Sequence, residues 1–344
     1  MIWFALIATS LVGILFLVLL GVLAITLWPR KHPFKAGSCT AEEYRRIEIA
    51  NGVCFDQKYP FRSAAFSMTD GEHIAARVFG SDDAADIVLL VHGMGGAGER
   101  WNNPAGLLSD ATGALVVVVD LRGHNDSGGQ RYDLDRIGQY EEDLAQIFNL
   151  FHDTHPDARL WLAGHSMGGG IALRYALKQS RPKMAGYLLF APYFGPGPTA
   201  PAHPQPDSIL HIDKPRVSGL IALNSLRVRA FNHLPVAYLN ASPEFPAYSF
   251  RAMASGLPLP PLTAADGLAA MEGPVLIIAG EDDTAVNALG YGQVCEPFAN
   301  VEVEILPGHG HDSLLNDPRT YEIARTLMGR VSRIAKTPQK ELLS

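Results

Sequence analysis

Short apolar segments alternate with amphipathic segments along most of this chain. Six short segments are apolar at most positions and rich in residues that favour strands, which is typical of strands buried on both faces of a parallel sheet. They lie at 86–93, 114–120, 159–165, 186–192, 274–280 and 301–307. Between them, apolar residues recur at helical spacing, as in YEEDLAQIFNLFHD (140–153). The alternation predicts an α/β fold with a mostly parallel central sheet and helices on both faces.

The pattern is different at the N-terminus, where residues 2–28 carry no charged side chain. As a helix this run is roughly 40 Å long, which is enough to cross a bilayer with some tilt. A cleaved signal peptide is the alternative, but no Lys or Arg precedes the run, and its apolar part is longer than a signal peptide needs. We therefore expect a retained transmembrane anchor at 1–30. Arg30, Lys31 and Lys35 follow it, so the positive-inside rule predicts a single-pass membrane protein whose main domain is cytoplasmic.

The remaining pattern predicts the domain boundaries. Residues 31–60 are expected to form a linker with a short helix, and 336–344 a polar tail. Residues 61–192 and 271–335 together form the predicted α/β core. The intervening residues 193–270 begin with a segment too rich in Pro and Gly for regular structure. We interpret them as a cap insertion that contains two short helices.

Composition and charge exclude several functions. Hydrophobic residues make up 47% of the chain and the formal net charge is −7, which argues against nucleic acid as a partner. Cys39, Cys54 and Cys295 lack the spacing of metal ligands. The segment GMGGAG (93–98) lacks the Lys-Ser/Thr pair of a phosphate-binding loop. We expect no cofactor and no metal; the oligomeric state stays open.

The segment LAGHSMGGG (162–170) is the strongest chemical signal. Gly164, Ser166 and Gly168 fit the pattern G-x-S-x-G between a predicted strand and a predicted helix, which is the context that gives this motif meaning. The turn must be sharp and strained to expose the serine hydroxyl above the sheet, and the glycines permit close approach of strand and helix. Ser166 is therefore a candidate nucleophile.

A serine nucleophile needs a base and an acid that orients the base, and both follow in the required chain order. Asp282 and Asp283 stand after the strand at 274–280, and His309 and His311 after the strand at 301–307. Loops after adjacent strands can meet at one edge of the site. The residues alone leave open which member of each pair acts.

At this point the chain resembles the α/β-hydrolase family, especially lysophospholipase- and monoglyceride-lipase-like serine hydrolases with a helical cap. Five segments carry the resemblance, which covers roughly residues 60–335: VLLVHGMGGAGERW, VVVVDLRGHNDSGG, LAGHSMGGG, PVLIIAGEDDTAV and LPGHGHDSLLNDP. The resemblance selects Asp283, three residues after Gly280, and His311, seven residues before Pro318. One departure is Asn125, where the family usually has glycine.

The resemblance also implies where the oxyanion is bound. Backbone N–H groups of Met167 and of Met94, in the loop HGMGG (92–96), would stabilise the tetrahedral intermediate. His92 and Gly93 would support that loop. The aromatic residues of the insertion are expected to pack the cap or to line an acyl pocket.

The leading hypothesis is a membrane-anchored serine hydrolase that cleaves carboxylic esters through an acyl-enzyme on Ser166. Monoacylglycerol-like or lysophospholipid-like substrates fit the anchor and the cap. Alternatives are a serine peptidase or aminopeptidase, or a thioesterase, on the same fold. A non-catalytic, membrane-tethered binding protein would be expected to lack a triad residue, and Ser166, Asp283 and His311 are all present.

Overall fold

The computed structural model describes residues 2–34, 40–56, 58–96, 98–201, 209–241 and 244–336. Lys35, Cys39 and most of the predicted polar tail lie outside these ranges. Helices and strands are numbered below in chain order.

Within the described ranges, eight strands form one central sheet. They are β1 (Arg62–Ser67), β2 (His73–Phe79), β3 (Asp86–Val91), β4 (Leu115–Val119), β5 (Arg159–His165), β6 (Gly186–Phe190), β10 (Val275–Gly280) and β11 (Val301–Leu306). Their order across the sheet is β1-β2-β4-β3-β5-β6-β10-β11. β2 pairs with β1 and β4 in antiparallel fashion, and all other neighbours are parallel. The predicted, mostly parallel α/β sheet is confirmed.

The middle strands are buried along their whole length, because helices cover the sheet. These helices are α3 (Asn102–Thr112), α4 (Gln139–Thr154), α5 (Met167–Ala176), α8 (Ala264–Ala270), α9 (Gly290–Cys295) and α10 (Pro318–Lys336). Short 3₁₀ helices lie at Gly98–Trp101 and Ser313–Asn316. The carboxyl ends of β3, β5, β10 and β11 meet at one edge of the sheet, where the candidate residues stand.

The insertion between β6 and β10 contains helices and also a small sheet. It holds α6 (Lys214–Ser225), α7 (Phe250–Gly256) and the antiparallel strands β7 (Leu210–Ile212), β8 (Pro235–Leu239) and β9 (Ala247–Ser249). The small sheet was not predicted. Its strands have three to five residues, which is too short to show a clear alternation of polar and apolar positions.

Two helices precede the core. α1 (Ile2–Leu27) contains a stretch, Ser10–Leu27, that has the length and composition to cross a membrane, as an anchor or as a signal sequence. α2 (Ala41–Ala50) begins with a capping box between Thr40 and Glu43 and lies in the predicted linker.

Candidate active site

Ser166 stands on a sharp turn between β5 and α5. Its backbone has φ 54° and ψ −116°, an arrangement that costs free energy for any residue other than glycine. The turn is held from two sides, because Ser166 N donates to Phe190 O at 3.0 Å and Tyr193 N donates to Ser166 O at 2.9 Å. The strain is thus maintained by the neighbouring strand β6 and the segment after it.

The glycines around Ser166 are needed because backbone segments approach closely there. A Cβ on Gly164 would lie 2.4 Å from Gly168 O, and a Cβ on Gly168 would lie 2.2 Å from Val91 O. A Cβ on Gly93 would lie 2.9 Å from the Ser166 Cβ. Strand, helix and oxyanion loop can therefore converge on the serine only if these three residues have no side chain.

Asp283 and His311 form a hydrogen-bonded pair. His311 Nδ1 lies 2.7 Å from Asp283 Oδ2, and the Asp283 side chain is fully buried. The other carboxylate oxygen, Oδ1, accepts hydrogen bonds from the backbone amides of Ala285 at 2.8 Å and Val286 at 3.0 Å. The carboxylate is therefore fixed in one orientation, with Oδ2 directed at the histidine.

His165 connects Ser166 to the histidine loop. The imidazole of His165, the residue before Ser166, lies 4.7 Å from the imidazole of His311 between ring centroids. Its Nε2 lies 3.0 Å from His311 O, so it donates to that carbonyl. Burial lowers the pKa of His165 to about 4, so the ring is neutral and adds no charge beside His311. The structure thus brings the predicted nucleophile, base and acid to one corner, while their catalytic roles stay a prediction.

The environment of His311 makes it a stronger base than a free histidine. Burial acts to lower the pKa of His311, but the hydrogen bond and negative charge of Asp283 outweigh it, so the pKa is raised above the ordinary value. The same pair places the proton on Nδ1, because a buried carboxylate can only accept. Nε2 is then the nitrogen free to take a proton from a hydroxyl.

The predicted oxyanion donors lie on two backbone segments next to Ser166. Met167 is the first residue of α5, where helical N–H groups have no partner within the helix and favour negative charge. Met94 lies in the loop after β3, in a turn closed by Gly96 N donating to Gly93 O at 3.1 Å. The donor role of both residues stays a prediction.

His92 supports the loop that carries Met94 through contacts with the backbone after β3 and after β4. It is fully buried, its Nε2 accepts from Leu121 N at 3.0 Å, and its Nδ1 lies 2.7 Å from Gly93 O. Burial lowers the pKa of His92 to about 4, so the ring stays neutral and joins the ends of β3 and β4.

Sequence reasoning missed a cap residue that holds the oxyanion loop. Tyr248, fully buried on β9, accepts a hydrogen bond from Gly95 N at 2.7 Å. Its hydroxyl also lies 2.8 Å from His124 Nε2. Burial lowers the pKa of His124 to about 3, so the ring is neutral and its Nε2 accepts a hydrogen bond from the tyrosine hydroxyl. The cap and the loop that carries Met94 are thereby linked, a relationship between distant segments that no local motif signals.

A second unpredicted feature is an ion-pair network behind the histidine loop. Arg100 binds Asp312, the residue after His311, at 3.0 Å and Glu48 of α2 at 2.8 Å. Burial acts to raise the pKa of Asp312, but the charge of Arg100 outweighs it and the pKa lies below the ordinary value. The linker helix is therefore joined to the loop that carries the candidate base.

His309 and Asp282, the other members of the two candidate pairs, do not take part in the hydrogen bond between His311 and Asp283. His309 Nε2 lies 2.9 Å from Asp317, and Asp282 is exposed. Among the described residues, no three His, Cys, Asp or Glu side chains are grouped in a way that would hold a metal ion.

Comparisons with known proteins agree with this geometry. Residues 82–234 match the family model described as serine aminopeptidase, S33, Hydrolase_4. A monoacylglycerol lipase of Mycolicibacterium smegmatis is 28% identical over 74% of this chain and 91% of its own length. A lipase in an open form superposes with a TM-score of 0.55 at 19% identity, over 79% of this chain and 99% of that chain.

One solved structure extends over nearly the whole molecule. A membrane phospholipase A, described as a bacterial virulence factor, superposes with a TM-score of 0.54 at 19% identity, over 94% of this chain and 99% of that chain. At this identity the likeness concerns the fold. Taken together, the comparisons confirm the predicted family, the predicted fold and the predicted enzyme class, a serine hydrolase of the esterase and lipase type.

Proposed function

The chain belongs to the α/β-hydrolase superfamily, and we propose that it cleaves carboxylic esters through an acyl-enzyme on Ser166. The observation that carries the proposal is the 2.7 Å hydrogen bond between His311 Nδ1 and Asp283 Oδ2. It lies in the same corner of the molecule as Ser166, whose backbone is held at φ 54°. Ser166 Oγ attacks the ester carbonyl while His311 Nε2 takes its proton. The Met94 and Met167 N–H groups bind the oxyanion.

The second half of the reaction follows from the same residues. His311 returns the proton to the leaving alcohol as the carbon–oxygen bond breaks, which leaves the acyl group on Ser166. It then takes a proton from water, whose oxygen attacks the acyl-enzyme, and it returns that proton to Ser166 Oγ as the bond to the serine breaks and the carboxylic acid leaves. Asp283 accepts the hydrogen bond from His311 Nδ1 throughout, stabilises the imidazolium and keeps its ring oriented.

The proposed substrates are esters with one long acyl chain, such as monoacylglycerols or lysophospholipids. The monoacylglycerol lipase relative, whose length this chain spans almost completely, supports this class. The test is hydrolysis of monoacylglycerol and lysophospholipid by the full-length protein in detergent, together with labelling by a fluorophosphonate. Ser166→Ala should abolish both, and Ser332→Ala, on α10, should change neither. Full activity of Ser166→Ala would refute the proposal.

We also propose that α1 is a retained anchor and that the catalytic domain faces the cytoplasm. The uncharged stretch Ser10–Leu27 and the basic residues Arg30 and Lys31 after it support this. Intact mass and alkaline extraction of native membranes distinguish an anchor from a cleaved signal sequence. A C-terminal fluorescent or phosphatase fusion reports the side of the domain; phosphatase activity would overturn the cytoplasmic orientation.

An aminopeptidase is the second candidate, because the matching family model is described by that activity. It requires a group that recognises the substrate amine. A panel of acyl esters, acyl thioesters and aminoacyl amides at equal concentration separates the three chemistries. A higher kcat/KM on the amides would replace the esterase proposal.

A further inference from the structure

The end of α1 is packed against the cap rather than left free. Most described α1 side chains from residue 10 onward are exposed, but Thr26 is fully buried. It lies against α6, where a Cβ on Gly219 would approach the Thr26 Oγ1 to 2.2 Å. The two helices come this close because position 219 has no side chain.

Polar contacts hold this helix pair together. Arg216, buried on α6, donates from Nε to Thr26 O at 3.0 Å and from Nη2 to Trp28 O at 2.7 Å. Thr26 O is one of the last carbonyls of α1, which have no helical partner. Asp213 caps α6 by accepting from Arg216 N at 3.1 Å, and it also binds Arg30 at 2.7 Å. Arg216, a residue of the cap insertion, thus provides hydrogen-bond donors for the free carbonyls at the C-terminal end of α1.

The two helices run in opposite directions. Arg30 meets Asp213 before the start of α6, whereas Gly219, further along α6, meets Thr26 and lies near Val22. The C-terminal end of α6 therefore points back along α1, toward the stretch that would lie in lipid. From Gly219 to Leu226 the helical rise adds about 10 Å in that direction.

The turn at this end of α6 has the composition of a membrane-contact surface. We call Leu226, Arg227, Val228 and Arg229 the α6 turn. Leu226 is 64% exposed and Val228 is 37% exposed, and both arginines are exposed. Neither arginine forms an ion pair with a residue in the described ranges. Apolar side chains that alternate with basic ones suit the boundary between acyl chains and phosphate headgroups.

We propose that the α6 turn is a second membrane-contact surface, and that its partner is a phospholipid bilayer with anionic headgroups. This inference rests on the proposed membrane anchor. Leu226 and Val228 enter the acyl region, while Arg227 and Arg229 bind lipid phosphates. β8 follows the turn and pairs with β9, whose Tyr248 binds the candidate oxyanion loop, so contact at the turn holds at the bilayer the same part of the cap that supports this loop. A single-chain lipid then reaches the cap without crossing bulk water.

The experiment uses the full-length protein in nanodiscs that contain phosphatidylglycerol, in a background with the three native cysteines replaced. An environment-sensitive fluorophore is attached to Val228→Cys or, as a matched control, to Leu150→Cys, an exposed apolar position on α4. We expect blue-shifted emission and quenching by spin-labelled lipid at position 228, and neither at position 150. Equal signals at both positions would overturn the inference.

Two further arms separate the possible outcomes. Arg227→Gln with Arg229→Gln should weaken the quenching at position 228 in phosphatidylglycerol nanodiscs and leave it unchanged in purely zwitterionic ones; no difference in either would overturn the headgroup assignment. Alkaline extraction tests the anchor independently. Protein that stays in the membrane with a water-exposed position 228 refutes this inference alone, whereas protein released from the membrane refutes the proposed anchor.

Discussion

His311 donates its Nδ1 proton to Asp283 Oδ2 across 2.7 Å, while two backbone amides hold the other oxygen of that carboxylate. The base is therefore oriented by a group that is itself fixed. This arrangement determines both the tautomer of the imidazole and the pH at which it becomes protonated.

The first prediction concerns the pH dependence of hydrolysis. His311 must be neutral to accept the serine proton, and Asp283 raises the pKa of His311 above its ordinary value. Activity should therefore fall as the pH decreases through a value above about 6.5, the pKa of an unperturbed histidine. The kcat/KM profile against pH for a soluble ester measures this acidic limb.

Asp283→Asn should shift that acidic limb to lower pH, because the negative charge that favours the imidazolium is removed. The amide also favours the wrong tautomer, so kcat should fall on the order of 10⁴-fold. Asp282→Asn is the matched control, since Asp282 is exposed, and it should leave both the limb and kcat unchanged. An unshifted limb in Asp283→Asn would mean that another group titrates there.

Much of the core was predictable because its signals are local. Five of the six apolar runs became buried strands, and the strand–turn–helix context of Ser166 is contained in nine consecutive residues. The prediction was wrong for the run at 301–307: it forms β11 at the edge of the sheet, where Glu302 and Glu304 are exposed. Asn125, where the family usually has glycine, also has a local explanation. Its φ is 39°, and asparagine tolerates this glycine-like region better than most residues. Its amide donates to Asp120 at 2.6 Å, which stabilises the loop.

The cap was less predictable because its structure depends on contacts between distant segments. Two short helices are expected in the cap, but their bounds do not follow from the apolar pattern: α6 begins at Lys214 and ends at Ser225. The sequence does contain a signal for the start of α6: Asp213 is the capping residue, and Pro215 follows in the first turn. The strands β8 and β9, by contrast, are stabilised by pairing with each other and by Tyr248, neither of which leaves a periodic pattern.

The second prediction concerns the link between Tyr248 and the oxyanion loop. Tyr248→Phe leaves Gly95 N and His124 Nε2 without their partner, so the loop that carries Met94 loses its fixed position. We expect kcat to fall roughly ten- to a hundredfold, with KM changed little, because the loop acts on the transition state. Tyr238→Phe is the control, since its hydroxyl contacts Pro235 O at 3.3 Å and the Arg216 side chain, both within the cap. A kcat for Tyr248→Phe equal to that of the control would show that the loop needs no such support.

The third prediction concerns the glycines that allow the sharp turn. Gly168→Ala places a Cβ 2.2 Å from Val91 O, so strand β3 or helix α5 must move. We expect the free energy of unfolding to fall by about 3 kcal/mol and fluorophosphonate labelling of Ser166 to be lost. Gly292→Ala meets no atom within 4 Å and should behave like the native protein. Denaturation in detergent, followed by labelling at a temperature where both variants are folded, separates the loss of stability from the loss of activity.

The last prediction concerns Arg100, which joins the linker helix to the histidine loop. Its guanidinium and both partner carboxylates are mostly buried, with side-chain exposures of 14%, 14% and 22% for Arg100, Glu48 and Asp312. Arg100→Gln removes one partner and leaves two carboxylates facing each other in a poorly hydrated site. Breaking such a pair costs about 3 kcal/mol, whereas loss of an exposed pair costs less than about 1 kcal/mol. Arg46→Gln, which breaks the exposed pair with Glu42, is therefore the matched control.

Arg100→Gln should also lower kcat, and this effect should persist at temperatures where the variant is fully folded. Without Arg100, the pKa of Asp312 rises, and the carboxyl loses the contact that holds it beside His165 and His311. His311 then keeps its own contacts with Asp283 and with His165, whose Nε2 donates to His311 O, but the segment that follows it is held less firmly. We expect a lower kcat on soluble ester at temperatures where Arg100→Gln is folded. If kcat is native while stability is reduced, Arg100 contributes to folding and not to the position of the base.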